Sequence, residues 1–162
     1  MKKLLLFTVV SAFVFSYCSA QPSPKASAEG KGVSVSYGQP SKKGREIFGG
    51  LVPYGQVWRT GANNATEITF TADTKFGGQA IKAGTYSLFT IPGEKEWTII
   101  LNSELKQWGS FGYEKIKDKD VLKVKATPTK VKDVVEKFTI RFDGSNNLIL
   151  EWDTTQVSVK VG

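Results

Sequence analysis

The 162-residue sequence contains no histidine and a single cysteine, Cys18. Histidine is the commonest general base and a common transition-metal ligand, and cysteine thiolates are the other main zinc ligands. Their near absence excludes Ser-His-Asp and Cys-His catalytic sites and ordinary zinc centres. The glycines match neither a phosphate-binding loop nor a dinucleotide-binding fingerprint. We therefore expect no cofactor, no bound metal ion and no catalytic residue.

Long apolar runs are also scarce, and the main one lies at the start of the chain. Residues 4–15 are mostly apolar, follow Lys2 and Lys3, and precede the small residues Ser19 and Ala20. This pattern is typical of a secretory signal peptide, and the run is shorter than the roughly 20 residues that cross a bilayer. We predict a signal peptide at residues 1–20, no later membrane span, and an exported protein that is periplasmic or secreted.

The position of Cys18 leaves an alternative form of export open. Cleavage after Ala20 would remove this cysteine, whereas cleavage just before it would leave Cys18 as a lipid anchor. The bulky Tyr17 before the cysteine favours the first case. We expect a protein without a lipid anchor and keep the lipid-anchored form as the alternative.

The charge balance is basic, with a formal net charge of +7. Nucleic-acid-binding domains also tend to be basic, but they usually cluster their cations on a recognisable reading element. Here the lysines are spread along the chain without an arginine-rich block, and export separates the protein from nucleic acid. We interpret the charge as a solvated surface and expect no nucleic-acid partner.

The remainder of the chain is patterned as short β-strands. Residues 21–31 are small and polar, and we predict a flexible leader there. Residues 32–162 contain segments in which apolar and polar side chains alternate, separated by turn residues at intervals typical of all-β domains. We predict one all-β domain of nine or ten strands, an antiparallel β-sandwich or jelly roll with at most one or two short helical turns, with an open barrel as the alternative.

Two segments of this domain depart from simple alternation. Residues 86–91 and 97–101 are more continuously apolar, which predicts a central hairpin covered on both faces. Residues 102–108 could form one helical turn, and the mixed charges of residues 114–120 favour a solvated loop.

The stretch at residues 44–70 combines many glycines with aromatic residues, Arg59 and Asn63. Ordered loops of this kind often present binding groups. Five residues form the candidate ligand-binding set: Tyr54, Trp58, Arg59, Asn63 and Glu94. Tyr86, Trp97 and Trp108 could also stack on a sugar ring, but the alternation around Trp97 and Trp152 favours core positions. Trp58 could equally anchor the loop, and Arg59 could either satisfy buried carbonyls or bind a carboxylate.

Carboxylate chemistry is the enzymatic possibility that the composition leaves. Two acids could hydrolyse a glycosidic bond, and Glu46, Glu67 and Glu94 lie near predicted loops or edges. Their spacing does not show that any two are close, and solvated or paired glutamates are commoner. Residues 143–147 could supply oxygen ligands to calcium, but a hairpin turn explains them better.

The amino-acid sequences of two segments resemble those of a known family. GREIFGGLVPYGQVWRTGANNAT within residues 43–66 and KAGTYSLFTIPGEKEWTIILN at residues 82–102 are similar to the bacterial domain-of-unknown-function family 2911. This resemblance implies an exported single-domain bacterial protein with no established activity, so it supplies no catalytic residues. Asn64 stands where the family pattern is expected to have Glu, which argues against a catalytic acid there.

These observations favour a non-catalytic ligand-binding module of the cell envelope, with a glycan or small molecule as its ligand. Two alternatives remain open. One is a glycan hydrolase that uses Glu67 and Glu94, and the other is a structural or assembly module whose partner is an envelope protein.

Overall fold

The computed structural model describes residues 22–162, and nearly all of its regular secondary structure is β-strand. The predicted signal peptide and Cys18 lie outside the described residues, so the export prediction remains a prediction. The strands are β1 Lys25–Gly30, β2 Val33–Gly38, β3 Thr66–Phe70, β4 Thr74–Phe76, β5 Gln79–Ile81, β6 Gly84–Ile91, β7 Trp97–Asn102, β8 Asp120–Ala126, β9 Thr129–Phe142 and β10 Asn147–Lys160.

Six strands form the main sheet, in the order β1-β2-β3-β6-β7-β8. Every neighbouring pair is antiparallel. Short turns join β1 to β2 and β6 to β7, whereas the long segments 39–65 and 103–119 join β2 to β3 and β7 to β8. The predicted antiparallel all-β fold is confirmed.

The second layer is dominated by a long hairpin of β9 and β10, each 14 residues long. The short β4–β5 hairpin extends this layer through an antiparallel bridge between Phe76 and Val161. Pro40 and Lys42, which follow β2, exchange backbone hydrogen bonds with Phe138 and Glu136 of β9. The segment after β2 therefore passes from the main sheet to the second layer.

The core lies between the two layers. Alternate residues of the main sheet, such as Val35, Ile68 and Ile99, share one buried cluster with Ile140 and Leu150 of the long hairpin. Period-two alternation thus places one apolar row of each strand in the core, as expected for a sandwich. Trp97 and Trp152 are both buried in this cluster, so their predicted core positions are confirmed.

The central hairpin of β6 and β7 is buried on both faces, which the continuous apolar pattern predicted. Its outer face packs Phe89 and Ile100 against Ala65 and Tyr113 in a second, smaller cluster. The cover comes from Tyr113 in the short 3₁₀ helix Tyr113–Lys115 and from Ile116, which precedes a second, exposed 3₁₀ helix, Lys117–Lys119.

Two local predictions were wrong, and a third was wrong in part. The segment predicted as a flexible leader contains β1, which pairs over its full length with β2. Residues 103–108 do not form a helical turn, because the backbone there turns to pair beside residues 63–65. Residues 114–120, predicted as a solvated loop, are mostly exposed as expected, but they form 3₁₀ turns because Tyr113 and Ile116 pack on the central hairpin.

A pH-dependent prediction arises from the packing of Tyr113. Its buried hydroxyl donates a 2.6 Å hydrogen bond to Asp120 Oδ2. Burial, and next this hydrogen bond, raise the pKa of Tyr113 well above the ordinary tyrosine value. Above pH about 10 the unfolded chain therefore releases a proton that the folded protein retains, so stability falls as pH rises.

We expect the free energy of unfolding of the wild type to fall more steeply above pH about 10 than that of Tyr113→Phe. The difference should reach up to about 1.4 kcal/mol per pH unit. Urea unfolding at a series of pH values measures it. Lysines titrate in both proteins, so the comparison isolates Tyr113, and parallel curves would contradict the prediction.

Candidate functional site

The segment between β2 and β3 is irregular but firmly held. Trp58 exchanges two backbone hydrogen bonds with Thr90 of β6, at 2.7 and 2.9 Å. Farther along, the Thr66 hydroxyl donates to the carbonyl of Thr60 at 2.6 Å, and the Ala62 amide donates to the carbonyl of Gly38 at 3.1 Å. Residues 58–66, which we call the Trp58 loop, are therefore fixed against both β2 and β6.

Two residues of the Trp58 loop adopt left-handed backbone conformations. Thr60 has φ 56° and Asn63 has φ 63°. A positive φ is unusual for a β-branched residue and carries a cost of about 1–2 kcal/mol. At Thr60 the surroundings offset this cost, since its buried hydroxyl donates to Thr90 Oγ1 at 3.1 Å. The loop shape is thus imposed by tertiary contacts.

The structure does not bring the five candidate residues into one site. Trp58 is only 8% exposed and packs among core aromatic rings, so it belongs to the core and not to a binding surface. Tyr54 and Glu94 line a small groove of about 170 Å³ beside the β6–β7 turn. Asn63 lines a different groove, and Arg59 lines neither groove but donates to the Asn63 carbonyl.

The groove that Asn63 lines lies where the Trp58 loop meets the ends of β1 and β2, and its volume is about 470 Å³. We call it the Trp108 groove. Its walls combine aromatic, amide and charged side chains with small residues that leave room for a ligand: Pro22, Lys25, Ser36, Tyr37, Gly38, Ala62, Asn63, Asn64, Ala65, Glu67, Lys106 and Trp108.

Trp108 is the most distinctive residue of this groove because 66% of its side chain is exposed. Its position is set by the backbone, which pairs antiparallel with Asn64, while the Ala65 amide donates to Gln107 and the Gly109 amide donates to Asn63. Exposed tryptophan rings are uncommon on surfaces without a partner, since a ring of this size contributes strongly to stability or binding when it is buried. The arrangement holds a solvent-exposed aromatic ring at a fixed position.

The polar groups of the Trp108 groove carry charges of both signs. Lys25 and Lys106 supply two exposed cations. Glu67 is the single carboxylate among the described lining residues, and its Oε1 accepts a hydrogen bond from the Lys106 amide at 3.2 Å. The side-chain nitrogen of Asn63 is also occupied, because it donates to the Ser23 carbonyl at 2.8 Å.

The carboxylate pair required by a glycan hydrolase is not assembled. Glu67 lines the Trp108 groove, whereas Glu94 lines the small groove beside the β6–β7 turn. Glu46 lines neither of these grooves. Hydrolysis needs two acids on opposite sides of one bond, so the proposed pairing of Glu67 with Glu94 is wrong.

Several groove residues escaped the sequence prediction. Lys25 and Pro22 were assigned to a flexible leader, and Lys106 to a helical turn. Trp108 was recognised as a possible stacking residue but not placed in the candidate set. The closeness of Lys106 to Trp108 in the sequence was an available signal for part of this groove. Lys25 carried no such signal, because the pairing of β1 with β2 brings it to the groove.

The described part of the chain contains neither a grouped set of metal ligands nor a membrane-spanning helix. Across residues 22–162, no three acidic or cysteine side chains are grouped so that they could hold a metal ion. Over the same residues, none of the helices is long and apolar enough to cross a membrane. The Asp143 carboxylate instead accepts hydrogen bonds from the backbone amides of Ser145 and Asn147, as in a tight turn.

A comparison with family models gives one match. The model described as "Protein of unknown function (DUF2911)" covers residues 19–161, which is nearly the whole chain. No curated protein and no solved structure matches the sequence.

Proposed function

Since the chain belongs to the DUF2911 family, whose function is unknown, we propose its function from the groove: it is an exported, non-catalytic module that binds a glycan in the Trp108 groove. The observation that carries this proposal is the exposed ring of Trp108 in the wall of a groove that also holds amide and ammonium groups.

The chemistry of a sugar fits this combination of groups. A pyranose ring has an apolar C–H face, which can cover an aromatic ring, and a rim of hydroxyls that require hydrogen-bonding partners. Trp108 offers the flat surface, and Asn64, Lys25 and Lys106 offer exposed polar groups around it. Burying the exposed ring under a sugar would remove apolar surface from water at about 25 cal/mol per Å².

The groove favours binding over hydrolysis. Glu67 has no second carboxylate beside it among the described lining residues, and histidine is absent from the whole sequence. Acid–base hydrolysis of a glycoside requires a pair of such groups. A ligand held in the Trp108 groove would therefore be retained without being cleaved.

Replacing Trp108 with alanine should weaken glycan binding at least tenfold, equivalent to about 1.4 kcal/mol, because the stacking surface is lost. The melting temperature should hardly change, since the ring is mostly exposed. A glycan array would first identify a binding oligosaccharide, and titration calorimetry would then compare residues 21–162 of the wild type with Trp108→Ala.

The matched control is Tyr54→Ala, which removes a half-exposed aromatic ring from the other groove. We expect it to bind the oligosaccharide like the wild type. Loss of binding in Tyr54→Ala but not in Trp108→Ala would move the site to the small groove and contradict the proposal. An array on which the wild type binds no glycan would also overturn it.

A further inference from the structure

Arg59 is a cation without an adequate partner. Its guanidinium makes one long hydrogen bond, from Nη1 to the Asn63 carbonyl at 3.4 Å. It forms no salt bridge with any residue of the described range, 22–162. Its Nε atom is buried and donates to no described group. Of its three nitrogens, Nε is the one that is both buried and without a hydrogen-bond partner, whereas the residue as a whole is partly exposed to solvent.

This arrangement is costly for the free protein. Burial lowers the pKa of Arg59, which means that its surroundings disfavour the charged form. Arginine nevertheless remains protonated in proteins, so the positive charge is kept in a partly buried position without a paired carboxylate among the described residues. The Phe111 ring, whose centroid is 5.9 Å from Cζ, provides a weak cation–π contact. An oxyanion would supply what is missing.

Arg59 adjoins the Trp108 groove. The Asn63 carbonyl that accepts from Arg59 also accepts from the amide of Gly109, the residue after Trp108. A Cβ atom placed on Gly109 would come within 2.9 Å of Arg59 Nη1. The guanidinium thus lies beside the backbone of two residues that line the groove or adjoin its lining, Asn63 and Gly109, although Arg59 itself does not line it. A carboxylate that reaches Arg59 would therefore extend from the groove past Trp108.

We propose that Arg59 binds the carboxylate of an acidic sugar whose ring stacks on Trp108, so that the ligand class is a uronic-acid glycan. This inference rests on the proposed function and specifies its ligand. The planar guanidinium matches the two oxygens of a carboxylate, and the exposed Lys25 and Lys106 add positive potential at the groove.

The test compares an oligogalacturonate with its fully methyl-esterified form, in which each carboxylate is replaced by an uncharged methyl ester. Calorimetry should show the wild type binding the acid at least tenfold more tightly than the ester. Arg59→Gln should remove this preference while retaining the affinity for the ester. Its melting temperature should stay the same or rise, because an unpaired buried donor is lost.

Arg59→Lys provides a second variant that keeps the charge but loses the planar fork. It should show a preference for the acid that is smaller than in the wild type, and raising the salt concentration should weaken that preference further. A preference equal to that of the wild type would contradict two-oxygen recognition by the guanidinium.

The outcomes separate this inference from the function on which it rests. Equal affinity of the wild type for acid and ester, with binding lost in Trp108→Ala, would overturn the role of Arg59 and leave the glycan site standing. A strongly lowered melting temperature in Arg59→Gln with an unchanged acid preference would make Arg59 a structural residue. Failure of both sugars to bind, when other glycans bind through Trp108, would overturn the uronic-acid assignment.

Discussion

Replacing Trp58 with alanine is expected to lower the free energy of unfolding by roughly 3–5 kcal/mol, as for other large-to-small core substitutions. The ring packs edge-on against Phe138, with centroids 4.9 Å apart, and stacks on Trp152 at 6.0 Å. Its Nε1 also donates to the Gly61 carbonyl at 3.1 Å. The substitution would therefore open a cavity and leave a buried carbonyl without its donor.

The measurement is urea unfolding followed by far-ultraviolet circular dichroism, because tryptophan fluorescence would itself change. Trp108→Ala is a matched control, since it makes the same substitution at a ring that is 66% exposed instead of 8%. We expect the control to lie within about 0.5 kcal/mol of the wild type. A loss below about 1 kcal/mol in Trp58→Ala would contradict the core position.

The fold could be predicted because the information for it is local. Alternation along β2, β8 and β9 identifies strands with one buried face. The unbroken apolar runs of β6 and β7 identify a hairpin that is buried on both faces. These patterns are read within a few residues. The polar sequence of β1 contains no such pattern. Its pairing with β2 satisfies the backbone hydrogen-bonding groups at the edge of that strand without burying large apolar side chains.

The site could not be predicted because its parts meet only in three dimensions. The same glycine-rich loop sends the Trp58 ring into the core and holds Asn63 at the groove, and residue types alone do not distinguish these directions. Trp108 faces the groove because residues 107–109 pair beside the loop, although about 40 residues separate the two segments. The sequence therefore pointed to a loop that lines the Trp108 groove, but it did not show which side chains of that loop face solvent.

Replacing Gly38 with alanine is expected to destabilise the protein by about 3 kcal/mol, at the upper end of the costs of overpacking. A Cβ atom on Gly38 would lie 2.0 Å from the Ala62 carbonyl oxygen and 2.7 Å from its carbon. Both are backbone atoms, so no rotamer change can relieve the contact. The Ala62 amide also donates to Gly38, which ties the two segments together.

Gly144→Ala is the control for this substitution, because nothing lies within 4 Å of a Cβ atom at that exposed turn. We expect chemical unfolding to show little change there. Any folded Gly38→Ala protein must move the Trp58 loop away from β2, and Ala62 and Asn63 on that loop line the groove. It should therefore also lose glycan affinity, whereas wild-type stability and affinity would show that the close approach of the loop to β2 does not shape the site.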